Sequence, residues 1–322
     1  MKSKLGSIFF RGSVSLLLFA FILWRFQDKL AQVWEKLATA NLWWVLAAIL
    51  LFWAAMLINA FKWWVLLRAQ AIHVPFLSMA NFTFVGFFFN NILPANIGGD
   101  VMRGYGLARY TDKNAAAAAS VVLDRIIGLS TYMSVATVAA LVVVLLTDRT
   151  ELWPLAAVAA LALLALIFLA AFLISRRISR WISQILHNSF LRKLAPLWDS
   201  LAAAFALYRF QYNTLVLAFL IGLGGIFATS MVNYTLSLAL GGGISLVHIF
   251  LFTPLIALVL IIPISIGGFG LSQVAYPFFY GLVGVAGELA LALSLFVQVV
   301  QLFCSLPGGL LWLLWKKEKQ ET

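Results

Sequence analysis

Long apolar runs separated by short polar connections occupy almost the whole sequence of 322 residues. A helix needs ~20 mostly apolar residues to cross the hydrocarbon layer of a bilayer, so run length is the useful measure. The full-length runs are residues 8–24, 41–61, 126–147, 152–175, 213–240 and 288–315. The pattern therefore predicts an all-α polytopic membrane protein with six full spans, folded as a single integral membrane domain over residues 1–322.

Two further apolar tracts, residues 69–99 and 245–287, are interrupted by proline and glycine. The segment Leu93–Gly99 aligns with Ile262–Gly268 at an offset of 169 residues, with Pro, Ile and both Gly in register. Proline removes a backbone donor and glycine tolerates unusual dihedral angles, so a helix that enters either segment should stop there. We predict that each tract forms a broken hairpin, either re-entrant or a pair of helices, which gives about eight helices in all.

The positions of the basic residues predict the orientation in the membrane. With a cytoplasmic N-terminus, all but four of the 22 Lys and Arg residues fall on the cytoplasmic side. We therefore predict that both termini are cytoplasmic. Residues 1–150 and 151–322 then contain the same order of spans with opposite orientations, which is the inverted-repeat plan of many secondary transporters.

The predicted cytoplasmic linker, residues 176–209, is the one long polar segment of the sequence. Four apolar residues fall on one helical face of its first part, and they are Ile178, Ile182, Ile185 and Leu186. Basic and polar residues fall on the other face, as in an amphipathic helix that lies on the inner leaflet and is attracted to anionic lipids. An ordinary basic cytoplasmic loop would explain the arginines equally well.

Composition narrows the possible functions. Hydrophobic residues make up 64% and charged residues 10%, which excludes an ordinary soluble domain. The net charge of +11 is explained by topology and anionic headgroups, so we expect no nucleic-acid partner. The single Cys304 and three isolated histidines offer no metal-ligand spacing, and there is no nucleophile or phosphate-loop motif. We therefore expect no cofactor, no metal and no enzymatic activity.

Polar residues at the two breaks are the candidate binding residues. Those of the first break are Asn90, Asn91, Pro94, Asn96, Gly98, Gly99, Asp100 and Arg103. Those of the second break are Pro263, Gly267, Gly268, Gly270 and Gln273. If a helix restarts after the first glycine pair, Asp100 would cap it, Arg103 would lie one turn on, and the glycine-rich start would suit an anionic headgroup. The alternative is a helix cap with an arginine that only anchors the hairpin at the interface.

Asp124 and Arg125 directly precede the predicted span 126–147. They are either ordinary charges at the inner boundary of that span or members of a buried, functional pairing. In the second case, Asp124 would pair with Arg103 or Arg109.

At these motifs the sequence resembles the transmembrane region of lysylphosphatidylglycerol synthases, a flippase-like family. The shared motifs are a Leu-Pro-x-x-x-Gly-Gly-Asp-x-x-Arg segment (Leu93 to Arg103), an Asp-Arg-x-x-Gly segment (Asp124 to Gly128) and a Pro-x-x-x-Gly-Gly-x-Gly segment (Pro263 to Gly270). In two-domain synthases, the resemblance implies a region that moves aminoacylated phosphatidylglycerol between leaflets. Some stand-alone relatives are associated with glycosyl-lipid or hopanoid pathways.

The chain departs from this family in two ways. No aminoacyl-transferase domain follows the last span, so we expect that this stand-alone member does not itself make lysyl lipid. The late motif often continues to a glutamate, where this chain has Gln273. If that acid supports coupling or headgroup binding in relatives, the mechanism or the substrate differs here.

The sequence therefore predicts a lipid translocator of the cytoplasmic (inner) membrane of a prokaryote. It would move an anionic, aminoacylated or glycosylated lipid between leaflets, with the two broken hairpins meeting near the middle of the bilayer. The alternative function is a membrane scaffold that recruits a lipid- or glycan-modifying enzyme through the linker.

Overall fold

The computed structural model describes residues 21, 24–92, 98–147, 153–188, 192, 195–261, 265 and 267–317. The described residues contain no strand, and a 3₁₀ turn, Gln27–Lys29, precedes the helices. The helices are α1 Leu30–Ala38, α2 Leu42–Arg68, α3 Phe76–Ile92, α4 Gly98–Thr111, α5 Asn114–Thr147, α6 Trp153–Ile174, α7 Arg176–His187, α8 Ala195–Ala206, α9 Tyr212–Ala239, α10 Leu246–Leu260, α11 Leu271–Gly281 and α12 Gly287–Lys317. The prediction of an all-α polytopic membrane protein is confirmed.

Within the described residues, five helices are long and apolar enough to cross a membrane, and these are α2, α5, α6, α9 and α12. They correspond to five of the six predicted spans. The remaining predicted span, residues 8–24, lies almost entirely outside the described residues. Local chemistry explains where some of these helices begin: the Asn41 side chain accepts a hydrogen bond of 3.0 Å from the Trp43 amide and so caps α2.

Helix α5 begins at Asn114, so the prediction that this span starts at Ile126 was wrong. The residues that follow Asn114 are a run of alanines, which are the best helix formers and extend the helix beyond its most apolar part. Asp124 and Arg125 consequently lie about 15 Å inside a 34-residue helix. The helix is longer than the ~20 residues of a span, and both residues lie about three turns from its first residue.

The first broken tract forms a helical hairpin. Helices α3 and α4 have 17 and 14 residues, fewer than the ~20 of a full span. They run antiparallel, because residues early in α3 approach residues late in α4. The Phe82 and Tyr110 rings are 6.2 Å apart, while Asn90 near the end of α3 hydrogen-bonds Gly99 at the start of α4.

The second broken tract forms a hairpin in the same way. Helices α10 and α11 have 15 and 11 residues. The Phe252 ring, in the middle of α10, lies 5.9 Å from the Phe279 ring and 5.5 Å from the Tyr280 ring, near the end of α11, while Leu260 at the end of α10 lies beside Gly268, just before α11. The hairpin is therefore also antiparallel.

Each hairpin packs against one helix of the opposite half of the chain and against helices of its own half. The first hairpin packs through α3 against α12, and the second packs through α10 against α5. Helix α2 packs along α9. Close approach depends on glycine, since a Cβ at Gly308 of α12 would lie 2.0 Å from the Phe84 carbonyl oxygen of α3. This interleaving brings both breaks into the interior of the bundle.

The predicted linker contains helices α7 and α8. The helical interpretation of its first part is confirmed, and none of the α7 residues is buried. The Trp198 indole of α8 donates a hydrogen bond of 3.2 Å to the Ser179 carbonyl of α7, which joins the two helices. Contact of α7 with lipid stays a prediction.

Candidate functional site

Asp124 is the centre of a buried cluster of charges formed by α2, α4 and α5. Its Oδ2 accepts a hydrogen bond of 2.8 Å from Arg103 Nη2, and its Oδ1 lies 3.3 Å from Lys62 Nζ. Lys62 and Asp124 are each only 5% exposed. The predicted pairing of Asp124 with Arg103 is confirmed. Arg109 does not take part, since its guanidinium donates to the exposed Tyr105 hydroxyl instead.

Arg103 extends the cluster towards the first break. Its Nη1 lies 3.4 Å from Asp100 Oδ1, and Arg125 Nε lies 3.1 Å from Asp100 Oδ2. The Arg103 guanidinium also lies over the Trp63 ring, 4.3 Å from the ring centroid. This stacking holds the guanidinium in one plane and lets Arg103 contact both carboxylates at once.

The cluster has more cations than carboxylates. Lys62, Arg103 and Arg125 oppose Asp100 and Asp124, which leaves a formal net charge of +1. The excess charge belongs to Arg125, whose side chain is 45% exposed, and the four more buried charges balance formally. Nothing in the described part of the chain suggests a bound metal ion, since no group of three or more His, Cys, Asp or Glu side chains comes together there.

Two buried donors near the break lack hydrogen-bond partners among the described residues. They are Arg103 Nε and Asn91 Nδ2. A buried polar group without a partner costs free energy, so such donors are rare unless a ligand or water satisfies them. Both donors and the net charge of the cluster favour an anionic ligand.

Glycine and Asn90 build the first break. Helix α4 restarts at Gly98, before the end of the glycine pair, so the expected cap by Asp100 was wrong: Asn90 Oδ1 accepts the Gly99 amide at 2.8 Å, and Asp100 lies within the first turn. A Cβ at Gly99 would lie 2.1 Å from the Gly86 carbonyl oxygen. Only glycine therefore lets α3 and α4 approach closely enough for Arg103 to reach Asp124.

The second break is built differently. Gly267, Gly268 and Gly270 have φ angles of 57°, 78° and 81°, in the left-handed region that favours glycine. The Gly270 amide donates to Gln273 Oε1 at 2.7 Å. Gln273 Nε2 donates to Gln298 Oε1 at 2.7 Å, and Gln298 Nε2 donates to the Gly267 carbonyl at 3.2 Å. Two glutamines thus close a ring of hydrogen bonds around the glycine turn without any charge.

Residues beside the two breaks approach each other. A Cβ on Gly267 would lie 4.0 Å from the Asn91 carbonyl oxygen. Pro94, Asn96 and Pro263 fall outside the described residues, so the meeting of the breaks near the middle of the bilayer stays a prediction. Asn90 and Asn91 therefore link the first break to its own hairpin and to the second break.

Two cavities adjoin the breaks. A cavity of about 650 Å³ begins at Asp100 and Arg125, and continues between α4, α5 and α6 along mainly apolar side chains. Val101 and Val122, at its edge, are exposed. A smaller cavity of about 130 Å³ lies at Gly267 and is lined by neutral polar groups from α11 and α12.

Comparison with known proteins assigns these features to a family. The family described as the lysylphosphatidylglycerol synthase TM region matches residues 8–308 of the chain. The chain belongs to this family. It is also 22% identical, over 295 residues, to a UPF0104 membrane protein of Pyrococcus horikoshii, a match that covers 84% of this chain and 87% of the relative. No solved structure matches the chain.

Membership in the lysylphosphatidylglycerol synthase TM family makes the chain a membrane protein linked to lipid handling. The first two motifs quoted for the resemblance converge in the charged cluster, since Arg103 bonds Asp124. The glycine of the second motif has a spatial role there. A Cβ at Gly128 would lie 3.1 Å from Lys62 Nζ, so Gly128 leaves room for the ammonium group.

Sequence analysis missed several residues of this TM region. Lys62 was counted among the cytoplasmic boundary charges, yet it is buried and paired. A single lysine within the apolar run of α2 was the available signal, because a charge inside a span marks a functional position by default. Trp63 and Gly86 gave no comparable signal, since tryptophan and glycine are common in membrane helices.

The glutamine ring gives a stability prediction. Gln273→Leu should lower the stability of the chain by about 1–3 kcal/mol, because it leaves the Gly270 amide and Gln298 without their partners. Thermal unfolding of the purified chain in detergent would measure this loss. Gln301→Leu on α12 is the control, and an equal loss in both variants would show that the ring adds nothing.

Proposed function

We propose that the protein moves an anionic lipid between the leaflets of the cytoplasmic membrane. The observation that carries this proposal is the largely buried cluster of charges at the first break, made net positive by the exposed Arg125 and lying directly beside a long apolar groove. A lipid needs a polar site for its headgroup and, directly beside it, an apolar surface for its acyl chains. On this proposal the protein transports lipid and does not modify it.

The charged cluster supports an anionic headgroup. Its formal charge of +1 would be balanced by one phosphodiester. Arg103 Nε and Asn91 Nδ2 would supply donors. Arginine suits this role, because its planar guanidinium can bind a carboxylate and a phosphate oxygen at the same time.

The apolar groove supports lipid as the rest of the ligand. Its volume of about 650 Å³ lies within the usual range of ligand sites. Arg125 and Asp100 lie at one end, and Leu166 and Leu169 of α6 line the opposite wall. An acyl chain could lie along this groove while the headgroup contacts the cluster.

The packing of the halves supports an inverted repeat, with residues 1–150 as the first half and residues 151–322 as the second. Each hairpin packs on the final helix of the other half, α3 on α12 and α10 on α5. The pairing of α2 with α9 would lie on the pseudo-two-fold axis. In transporters of this plan, broken helices at the interface of the repeats form the substrate site.

Leaflet exchange in liposomes tests the proposal. Arg103→Lys keeps the positive charge but loses the planar fork, so exchange of a fluorescent phosphatidylglycerol should slow by about tenfold or more. Arg109→Ala, six residues further along α4, is the matched control, because Arg109 is exposed and donates to the Tyr105 hydroxyl, away from the cluster. The assay compares initial rates at equal amounts of reconstituted protein.

Two outcomes would count against transport. Equal exchange in wild type and Arg103→Lys, across phosphatidylglycerol and glycosylated anionic lipids, would exclude Arg103 from the path. If exchange in wild-type liposomes did not exceed that in protein-free liposomes, the scaffold for a lipid- or glycan-modifying enzyme would become the better interpretation.

A further inference from the structure

A second polar cavity, separate from both breaks, lies where the span α6 ends. Its volume is about 410 Å³, and it is enclosed by the end of α6 together with α7 and α8. Leu173 and Ile174, the last residues of α6, form its apolar side. The cavity therefore sits at the level where a membrane span gives way to polar chain, which is the level of lipid headgroups.

Basic side chains from two different segments converge on this cavity. They are Arg176 and Arg180, one turn apart on α7, and Arg209, which follows α8. Asp199 is the one carboxylate among the described residues of the lining, so the formal net charge of the lining is +2. The Asp199 carboxylate also contacts a residue outside the lining, since its Oδ2 lies 3.7 Å from His187 Nε2.

Arg209 is held in place by its surroundings. The preceding Tyr208 is fully buried and accepts a hydrogen bond of 2.7 Å from Gln70 at the end of α2. Arg209 Nη2 donates to the Ile174 carbonyl, and Nη1 is buried without a hydrogen-bond partner among the described residues. A fixed guanidinium with an unsatisfied donor is a binding group that needs little reorganisation.

Helix α7 contributes more than charge. Ser175, Ser179 and Ser183 recur every fourth residue along the cavity, beside the arginines. Ser175 directly precedes α7, and its hydroxyl makes no capping hydrogen bond. The first amides of this 12-residue helix are therefore available to an anion, whose charge the helix dipole would also favour.

Exposed apolar side chains lie on the same segments of the chain as the cavity, outside its lining. They are Trp181, Ile185, Leu197, Phe210 and Tyr212. Exposed tryptophan and tyrosine next to arginine are typical of the membrane–water interface. The ligand chemistry is that of a phosphate group, and this belt of apolar side chains favours a lipid as its source.

We infer that the cavity between α6, α7 and α8 binds the phosphate group of an anionic phospholipid of the adjoining leaflet. Arg176, Arg180 and Arg209 bind the phosphate, the serine hydroxyls and the start of α7 donate to its oxygens, and the acyl chains extend past Leu173. This lipid is a resident ligand of the linker and does not belong to the proposed transport path.

Native mass spectrometry of the full chain in detergent tests the site. The chain is titrated with dioleoyl phosphatidylglycerol, and separately with dioleoyl phosphatidylcholine and with inorganic phosphate. The double variant Arg176→Gln with Arg180→Gln should bind one phosphatidylglycerol about tenfold more weakly than wild type. The matched double variant, Arg177→Gln with Arg192→Gln, removes the same charge from exposed positions outside the cavity and should bind like wild type.

Three results would overturn the site. Equal weakening of phosphatidylglycerol binding in both double variants would mean that the basic surface as a whole, and not this cavity, attracts the lipid. Equal affinity for phosphatidylcholine would remove the selection for an anionic lipid. If inorganic phosphate bound as tightly as the lipid, the ligand of the site would be a soluble phosphate and not a phospholipid. Because the titration measures equilibrium binding, it stays informative if Arg103 variants show no change in lipid exchange.

Discussion

Asp124→Asn is expected to destabilise the chain by about 3–5 kcal/mol, because it leaves Lys62 and Arg103 buried beside a neutral amide. The formal net charge of the cluster would rise from +1 to +2 with no new counter-charge. Thermal unfolding of the purified chain in detergent would measure the loss. The yield of monodisperse protein would fall in parallel.

Two further variants make this result specific to the cluster. Lys62→Gln combined with Asp124→Asn restores the formal net charge, so the double variant should be more stable than Asp124→Asn alone. Asp112→Asn is the surface control and should change stability by less than about 0.5 kcal/mol. Asp112 is exposed and has a φ of 54°, a conformation that asparagine tolerates well. A double variant less stable than Asp124→Asn would contradict the charge argument.

Gly99→Ala is expected to cost about 3 kcal/mol or more, since the added methyl would lie 2.1 Å from the Gly86 carbonyl oxygen. The obstacle is backbone, which cannot rotate away as a side chain could. The first hairpin would open at its tip, and the Asn90 bond to the Gly99 amide would be lost. Size-exclusion profiles and thermal unfolding in detergent would report the damage.

The same substitution at Gly104 is the control for Gly99→Ala. Both glycines lie within α4, but a Cβ at Gly104 would meet Val121 at 3.7 Å, an ordinary contact. Gly104→Ala should therefore stabilise the helix by up to about 1 kcal/mol through helix propensity alone. Loss of stability of similar size in both variants would mean that the hairpin contact is not the cause.

The hairpins were predictable from sequence because their signals are local. Proline with paired glycine does not always end a helix, since Pro307, Gly308 and Gly309 all lie within α12. The two matched segments, 93–99 and 262–268, are what marked both breaks. The pairing of Asp124 with Arg103 was also within reach, since buried charges need partners. In each case a few neighbouring residues carried the information.

Other parts of the site depend on contacts that the sequence does not encode locally. The alanines before Asp124 are less apolar than leucine or valine, so a hydropathy threshold placed the start of α5 twelve residues too late. Lys62 lies near the end of an apolar run, where the sequence does not distinguish a charge at the membrane boundary from a buried, paired charge. The twin glycine pairs look equivalent, yet Gly99 provides space while Gly268 provides a left-handed turn.

Asn90 and Asn91 occupy consecutive positions at the end of α3. One closes the first hairpin through the Gly99 amide, and the other places its carbonyl beside Gly267 of the second break. Any rotation of this helix end about its axis displaces both contacts together. The contacts of both hairpins therefore converge on one turn of α3, so a movement of either hairpin would act on the same two residues.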